Sequence, residues 1–156
     1  YLELSQNKVK DLGPLKGMAN MRSLYLSDNQ IASIEPIGEC KKIWSLYLAR
    51  NPVSDFAPIG NLKWLTHLDL QGCKLKKIDF LKPLTELRYL MLANNELTGV
   101  GPLVEMCQAD AAGRKHFAPY LQLYLHSNPL NERFQQEDGA KLKETGVRLH
   151  TEPPKR

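Results

Sequence analysis

Four histidines, three cysteines and a scatter of carboxylates are the side chains of this 156-residue chain with the types to do chemistry. His67 and Asp69 stand two positions apart. On a β-strand alternate residues share a face, so this spacing suits a carboxylate that orients an imidazole base. His116, His126 and His150 are the other imidazoles, and Cys40, Cys73 and Cys107 are the thiols. A zinc centre needs three or four such ligands about 2.0 to 2.3 Å from one ion, and a nucleophile needs its base within hydrogen-bond reach. No CxxC pair, HExxH run or glycine-rich phosphate loop occurs to supply a local cluster. Whether the scattered groups meet therefore depends on the elements that carry them.

Those elements are set by a repeat. Leu24, Leu26, Asn29, Ile31, Ile34, Ile37, Cys40 and Ile43 are followed 22 positions later by Leu46, Leu48, Asn51, Val53, Phe56, Ile59, Leu62 and Leu65. Further copies start near Leu2, Leu68 and Leu90, and a sixth, after an interruption, near Leu123. The alternation x-L-x-L-x predicts a short strand with leucine turned inward. Asn7, Asn29, Asn51, Asn95 and Asn128 follow it, each able to donate and accept where the chain leaves the strand. Cys73 takes this place in the fourth copy and offers only a weak donor. The second half of each repeat carries apolar residues at steps of three, which fits 3₁₀ or short helical turns. Pro14, Pro36, Pro58 and Pro102 stand where a fixed φ begins such a turn. In the fourth copy Asp79-Phe80 replaces that proline motif.

The pattern resembles the leucine-rich repeat family, whose repeats run to roughly 20 to 29 residues. The phrases IEPIGECKKI and FAPIGNLKWL are similar to the 22-residue class that includes bacterial internalins and regulatory subunits of protein phosphatase. The resemblance implies an α/β solenoid, curved, with parallel strands on the concave face and 3₁₀ or short helical turns on the convex face. One such domain is expected over residues 1–156. Leu90 and Leu123 lie 33 positions apart, so 11 residues are inserted beyond the period, at about 107–117. Ala109, Ala111 and Ala112 favour a helix there, and Gly113 and Pro119 stop it. That insertion reads first as a convex excursion and second as a contact surface displaying Arg114, Lys115 and His116. Residues 131–150 lose the period and predict a helix–strand cap, in which Phe134, Leu142, Val147 and Leu149 bury and Val147-Arg148-Leu149 forms the strand. Residues 151–156 predict a loose tail.

The formal charge of +4 and the dispersal of basic residues speak against nucleic-acid binding. Lys74, Lys76, Lys77 and Lys82 make the loops basic, a solvated face first and weak steering toward an acidic partner second. No apolar run approaches the roughly 20 residues of a membrane span. Cys40 and Cys73 occupy inward repeat positions and, with an odd number of thiols, favour a reducing cytoplasmic compartment. A secreted or cell-surface chain whose leader has been removed fits the same pattern. The chain opens directly on a strand, so an upstream covering segment or self-association through that edge is expected.

Strand alternation also orders the open face. The middle outward column reads Glu3, Tyr25, Tyr47, Asp69, Met91 and Tyr124, and the column before it Tyr1, Ser23, Ser45, His67, Tyr89 and Gln122. Ser27 and Ala49 make a low floor beside the tyrosines, and Arg50 stands at its rim. Neighbouring strands lie about 4.8 Å apart, so His67 and His126, two repeats apart, come no nearer than roughly 10 Å and share no ion directly. No catalytic or metal site and no cofactor is expected. The favoured function is a non-enzymatic recognition module that docks another protein on Tyr25, Tyr47, His67, Asp69, Tyr89, Met91, Tyr124 and Arg50. The alternative is a structural, oligomerisation or targeting segment of a larger protein, and an enzyme comes third.

Overall fold

A computed structural model describes residues 1–153, so positions 154–156 of the expected tail lie outside the described residues. Seven short strands form one sheet in sequence order: β1 (Leu2–Glu3), β2 (Ser23–Tyr25), β3 (Ser45–Tyr47), β4 (His67–Asp69), β5 (Tyr89–Met91), β6 (Gln122–Tyr124) and β7 (Arg148–His150). Every neighbouring pair is parallel. Leu24, Leu46, Leu68, Leu90 and Leu123 stand directly beside one another in register and are fully buried. The result is a leucine-rich repeat solenoid, with strands on the concave face and 3₁₀ turns on the convex one. Burial of the stacked leucines, each side chain worth about 1.5 to 3 kcal/mol, drives the stacking.

The chain leaves β1, β2, β3, β5 and β6 through a left-handed residue, Gln6, Asp28, Arg50, Asn94 or Ser127, with φ between 56° and 58°. The next residue is the asparagine, and its carboxamide ties two turns together. Asn51 Nδ2 donates to Leu26 O of the preceding turn at 2.8 Å, and its Oδ1 accepts the Ile31 N–H at 3.1 Å. Asn29, Asn95 and Asn128 repeat this bridge to Leu4, Leu70 and Leu92. Buried backbone groups that the short strands leave over are satisfied in this way. Cys73 and Cys40, at 3% and 0% exposure, face inward as their register requires.

On the convex side, 3₁₀ turns span Gly13–Leu15, Glu35–Glu39, Ala57–Asn61 and Asp79–Leu81. The last lacks proline, and Phe80 at that register stacks its ring on Phe56 with centroids 5.6 Å apart. Gly38 lets successive turns close up, because a Cβ there would lie 3.2 Å from Pro58 Cβ.

The inserted helix α1 spans Gly101–Ala112, and so begins earlier than the expected stretch at 107. Pro102 starts it as its counterparts start 3₁₀ turns, but Leu103, Val104 and Cys107 give an inward stripe that continues as α-helix. Asp110 then fastens the return loop, accepting the N–H groups of His116, Phe117 and Ala118 at 2.9 to 3.0 Å. The cap is a π-helical turn at Phe134–Asp138 running into α2 (Gly139–Glu144), with Phe134, Leu142 and Val147 buried. Its strand sits one residue later than expected, at Arg148–His150, because Leu149 takes the place beside Leu123.

Candidate protein-binding face

Parallel sheets are normally covered on both faces. Here the inner leucines cover one face, and among the described residues only the sheet's own side chains cover the other. The middle column runs Tyr25, Tyr47, Asp69, Met91, Tyr124 and His150 in direct register. Tyr25 and Tyr47 stack with centroids 4.6 Å apart and planes 7° from parallel. Tyr1 tilts onto Tyr25 at 5.4 Å. Beside Tyr47, Ala49 lies at 1% exposure, and beside Met91, Ala93 lies at 0%, so the floor next to the column is low and apolar there.

His67 stacks on Tyr89 at 4.7 Å, and burial lowers the imidazole pKa below its ordinary value. The His67 ring nitrogen Nδ1 lies 2.9 Å from Thr66 Oγ1, not from the Asp69 carboxylate. Asp69 accepts the Gln71 N–H at 3.0 Å and is 8% exposed, against the outward, accessible position expected of it. Tyr47 and Met91 flank it in the column, and burial pushes its carboxyl above the usual range. The two residues with the spacing of a base and its orienter therefore make separate contacts.

The expected contact residues divide into three blocks. Tyr25 and Tyr47 form one, with Met91 and Asp69 continuing it. His67 and Tyr89 form a second. Tyr124 lies at the far end and stacks on His150 at 4.2 Å, a partner that β7 brings into the column. Arg50 stands on the rim, exposed, and forms a bidentate pair with Asp28 at 2.5 and 2.6 Å. That hydrogen-bonded pair holds the Asp28 carboxyl below its ordinary value.

Trp44 and Trp64 were not singled out from the repeat pattern, yet they are 46% and 51% exposed, above the 37% of Tyr89. Both lie on the flank where the convex turns feed the strands, off the concave columns. They could be found only by asking which large apolar residues occupy non-core positions. Among the described residues no group of three His, Cys, Asp or Glu side chains gathers to hold a metal ion. No helix there is long and apolar enough to cross a membrane. The Cys107 thiol, on the buried face of α1, has its pKa pushed up to about 12 by desolvation, so it is held protonated and unreactive.

An open parallel sheet, an asparagine ladder and short convex turns define a solenoid repeat protein. Residues 1–39 and 45–83 match the Leucine Rich repeats (2 copies) family, and the chain belongs to the leucine-rich repeat family. No curated protein matches it by sequence. Among solved structures it is similar to an internalin, InlF, of Listeria monocytogenes, with a TM-score of 0.74 and 21% identity over 97% of this chain. The chain spans 40% of the length of that protein. Internalin C2 of the same organism gives a TM-score of 0.70 and 21% identity, over 97% of this chain and 70% of its own. The Arabidopsis receptor kinase HAESA, solved in complex with a peptide hormone and a co-receptor, gives 0.58 and 24% identity, over 81% of this chain and 25% of its own. Leucine-rich repeats are a protein–protein interaction fold, and the family is typically non-enzymatic.

Proposed function

We propose that the chain is a non-enzymatic recognition module that takes a protein partner on its concave face. The observation that carries this reading is the stacked Tyr25–Tyr47 pair beside the small-residue floor of Ala49, on a parallel sheet face with no covering layer. Tyrosine and methionine are enriched at interface cores, and rings stacked on each other are already ordered before a partner arrives. The peptide seated on the HAESA ectodomain supports the same use of the fold. Tyr25, Tyr47, Met91 and Tyr89 are the contact residues we assign, with Asp69 and His67 between them. Tyr124 is assigned to the far end and Arg50 to the rim.

The test is the double variant Tyr25→Ala with Tyr47→Ala. Partners captured by the wild-type chain from its source lysate are identified by mass spectrometry, and the affinity of the recovered partner is then measured for both proteins. Loss of two interface anchors costs about 2 kcal/mol or more, over tenfold in affinity. If the rings serve only one another, affinity stays the same and stability falls by roughly 0.2 to 1 kcal/mol for the cross-strand pair. Self-association is a second reading, favoured by β1, which among the described residues pairs with β2 alone, and by the adjoining Tyr1 at 81% exposure. Light scattering over a concentration series separates it from partner binding.

A further inference from the structure

The flank that feeds the strands carries a surface distinct from the concave face. Arg22, Trp44, Thr66 and Arg88 stand on four successive turns, linked by backbone hydrogen bonds of 2.8 Å from Trp44 N to Arg22 O, Thr66 N to Trp44 O and Arg88 N to Thr66 O. The Arg22 guanidinium lies over the Trp44 ring at 4.9 Å, and that of Arg88 over Tyr120 at 5.0 Å. Between Trp44 and Arg88 the column drops to Thr66. The Thr66 hydroxyl is turned back onto Trp44 O at 3.0 Å, so it is spent within the fold. A hollow results, bounded by Trp44 and Trp64 and continued by Pro83 and Thr85.

Lys63 and Glu86 line this hollow, and three further cations stand on the turns around it. Arg22, Lys42 and Lys63 are exposed and Arg88 is half-buried. Among the described residues none of the four has a carboxylate within ion-pair distance. The nearby carboxylate, Glu86, is engaged by His116 Nε2 at 2.8 Å. Two exposed indoles on a flank with four cations, of which Lys42 and Arg88 donate only to the neutral Asn20 Oδ1 and His116 O, favour an occupant that is apolar at its centre and anionic around it. Indole faces also attract the cations already on them, so Arg22 holds the Trp44 ring in place.

We propose that this flank is a second interaction surface, which takes an acidic polypeptide segment bearing one large apolar side chain. The apolar side chain seats between Trp44 and Trp64 over Thr66, and the carboxylates on either side of it meet Arg22, Lys42, Lys63 and Arg88. Single-stranded nucleic acid uses aromatic platforms and cations too. It is disfavoured here, because the chain's formal charge is only +4.

The chain has two tryptophans, Trp44 and Trp64, so tryptophan emission, excited apart from that of the six tyrosines, reports on this surface. The probes are short fluorescein-labelled peptides with a central Phe or Leu flanked by Glu, by Gln or by Lys, together with oligo-dT. The Glu peptides are expected to shift tryptophan emission saturably and to bind at least about tenfold more tightly than the Gln peptides, by an amount that shrinks as salt is raised. By anisotropy, Trp44→Ala with Trp64→Ala abolishes that binding, and Arg22→Glu with Lys63→Glu transfers it to the Lys peptides. Tyr25→Ala with Tyr47→Ala leaves it unchanged, which separates this surface from the concave one. Thermal melts confirm that each variant is folded. Absence of saturable binding, equal binding of the three peptide sets, or tighter binding of oligo-dT overturns the proposal. So does a dimer in sedimentation that the tryptophan variant dissolves, since the occupant would then be a second copy of the chain.

Discussion

Asn95 reaches back one turn to Cys73, and its Oδ1 accepts the Cys73 N–H at 3.0 Å as well as the Leu75 N–H at 2.9 Å. The other ladder asparagines each accept one such N–H, from Val9, Ile31 or Leu97. Cys73 reproduces half of the asparagine's work, its Sγ donating to Leu48 O at 3.4 Å. It has no oxygen for Val53, whose N–H lacks the side-chain acceptor that its counterparts have. The loop around it is altered too, with both Gly72 and Lys74 left-handed at φ 66° and 56°.

Cys73→Asn should complete the ladder. A hydrogen bond to a buried N–H contributes about 0.5 to 1.5 kcal/mol net, which for a chain of this size is a rise in melting temperature of roughly 1 to 6 °C. Chemical denaturation checks the same quantity. An unchanged or lowered midpoint would mean that the left-handed Lys74 has moved the Val53 N–H out of reach.

Asp69 should make stability depend on pH with a sign opposite to that of a salt-bridged carboxylate. Burial raises its folded pKa, so the folded state holds its proton more tightly than the unfolded chain does. The stability it contributes is full below the unfolded value of about 3.9 and is lost as pH rises through the folded value. Asp69→Asn keeps an oxygen for the Gln71 N–H and removes the charge. Its melting temperature should exceed that of the wild type at pH 7, and the difference should close as pH falls toward 4. Parallel melts over that range decide the matter, and a constant difference would refute it.

Gly146 turns the chain from α2 to β7 with φ at 93°, and a Cβ there would lie 2.9 Å from Pro119 Cα. Left-handed backbone costs an L-residue about 1 to 2 kcal/mol, and here a backbone contact adds to it. Gly146→Ala should therefore lower the melting temperature by several degrees. Gly101→Ala is the control, since nothing lies within 4 Å of its added methyl and alanine suits a helix start. Equal effects of the two would show that the contact with Pro119 relaxes.

The strand register was legible residue by residue, because an inward leucine every 22 positions leaves one way to stack the turns. Tyr25 beside Tyr47 and His67 beside Tyr89 follow from it directly. The start of α1 was not, since Pro102 opens a 3₁₀ turn and an α-helix alike, and only the burial of Val104 and Cys107 distinguishes them. Alternation assigns Asp69 to the open face but cannot say how far Tyr47 and Met91 lean over it. The repeat pattern does not mark the tryptophans, for a related reason. Periodicity selects core positions and strand faces, and Trp44 and Trp64 stand on neither.

The insertion grows outward from a turn that begins like its neighbours, while β5 and β6 on either side keep Leu90 beside Leu123. Added length is thus taken up on the back of the molecule without disturbing the spacing of the columns in front. This makes the stretch after Ala112 a natural splice point for an engineer. A fluorescent reporter or an affinity handle joined at Gly113–Arg114, both exposed, would ride on the convex side and leave the concave face free for labelling, immobilisation or display.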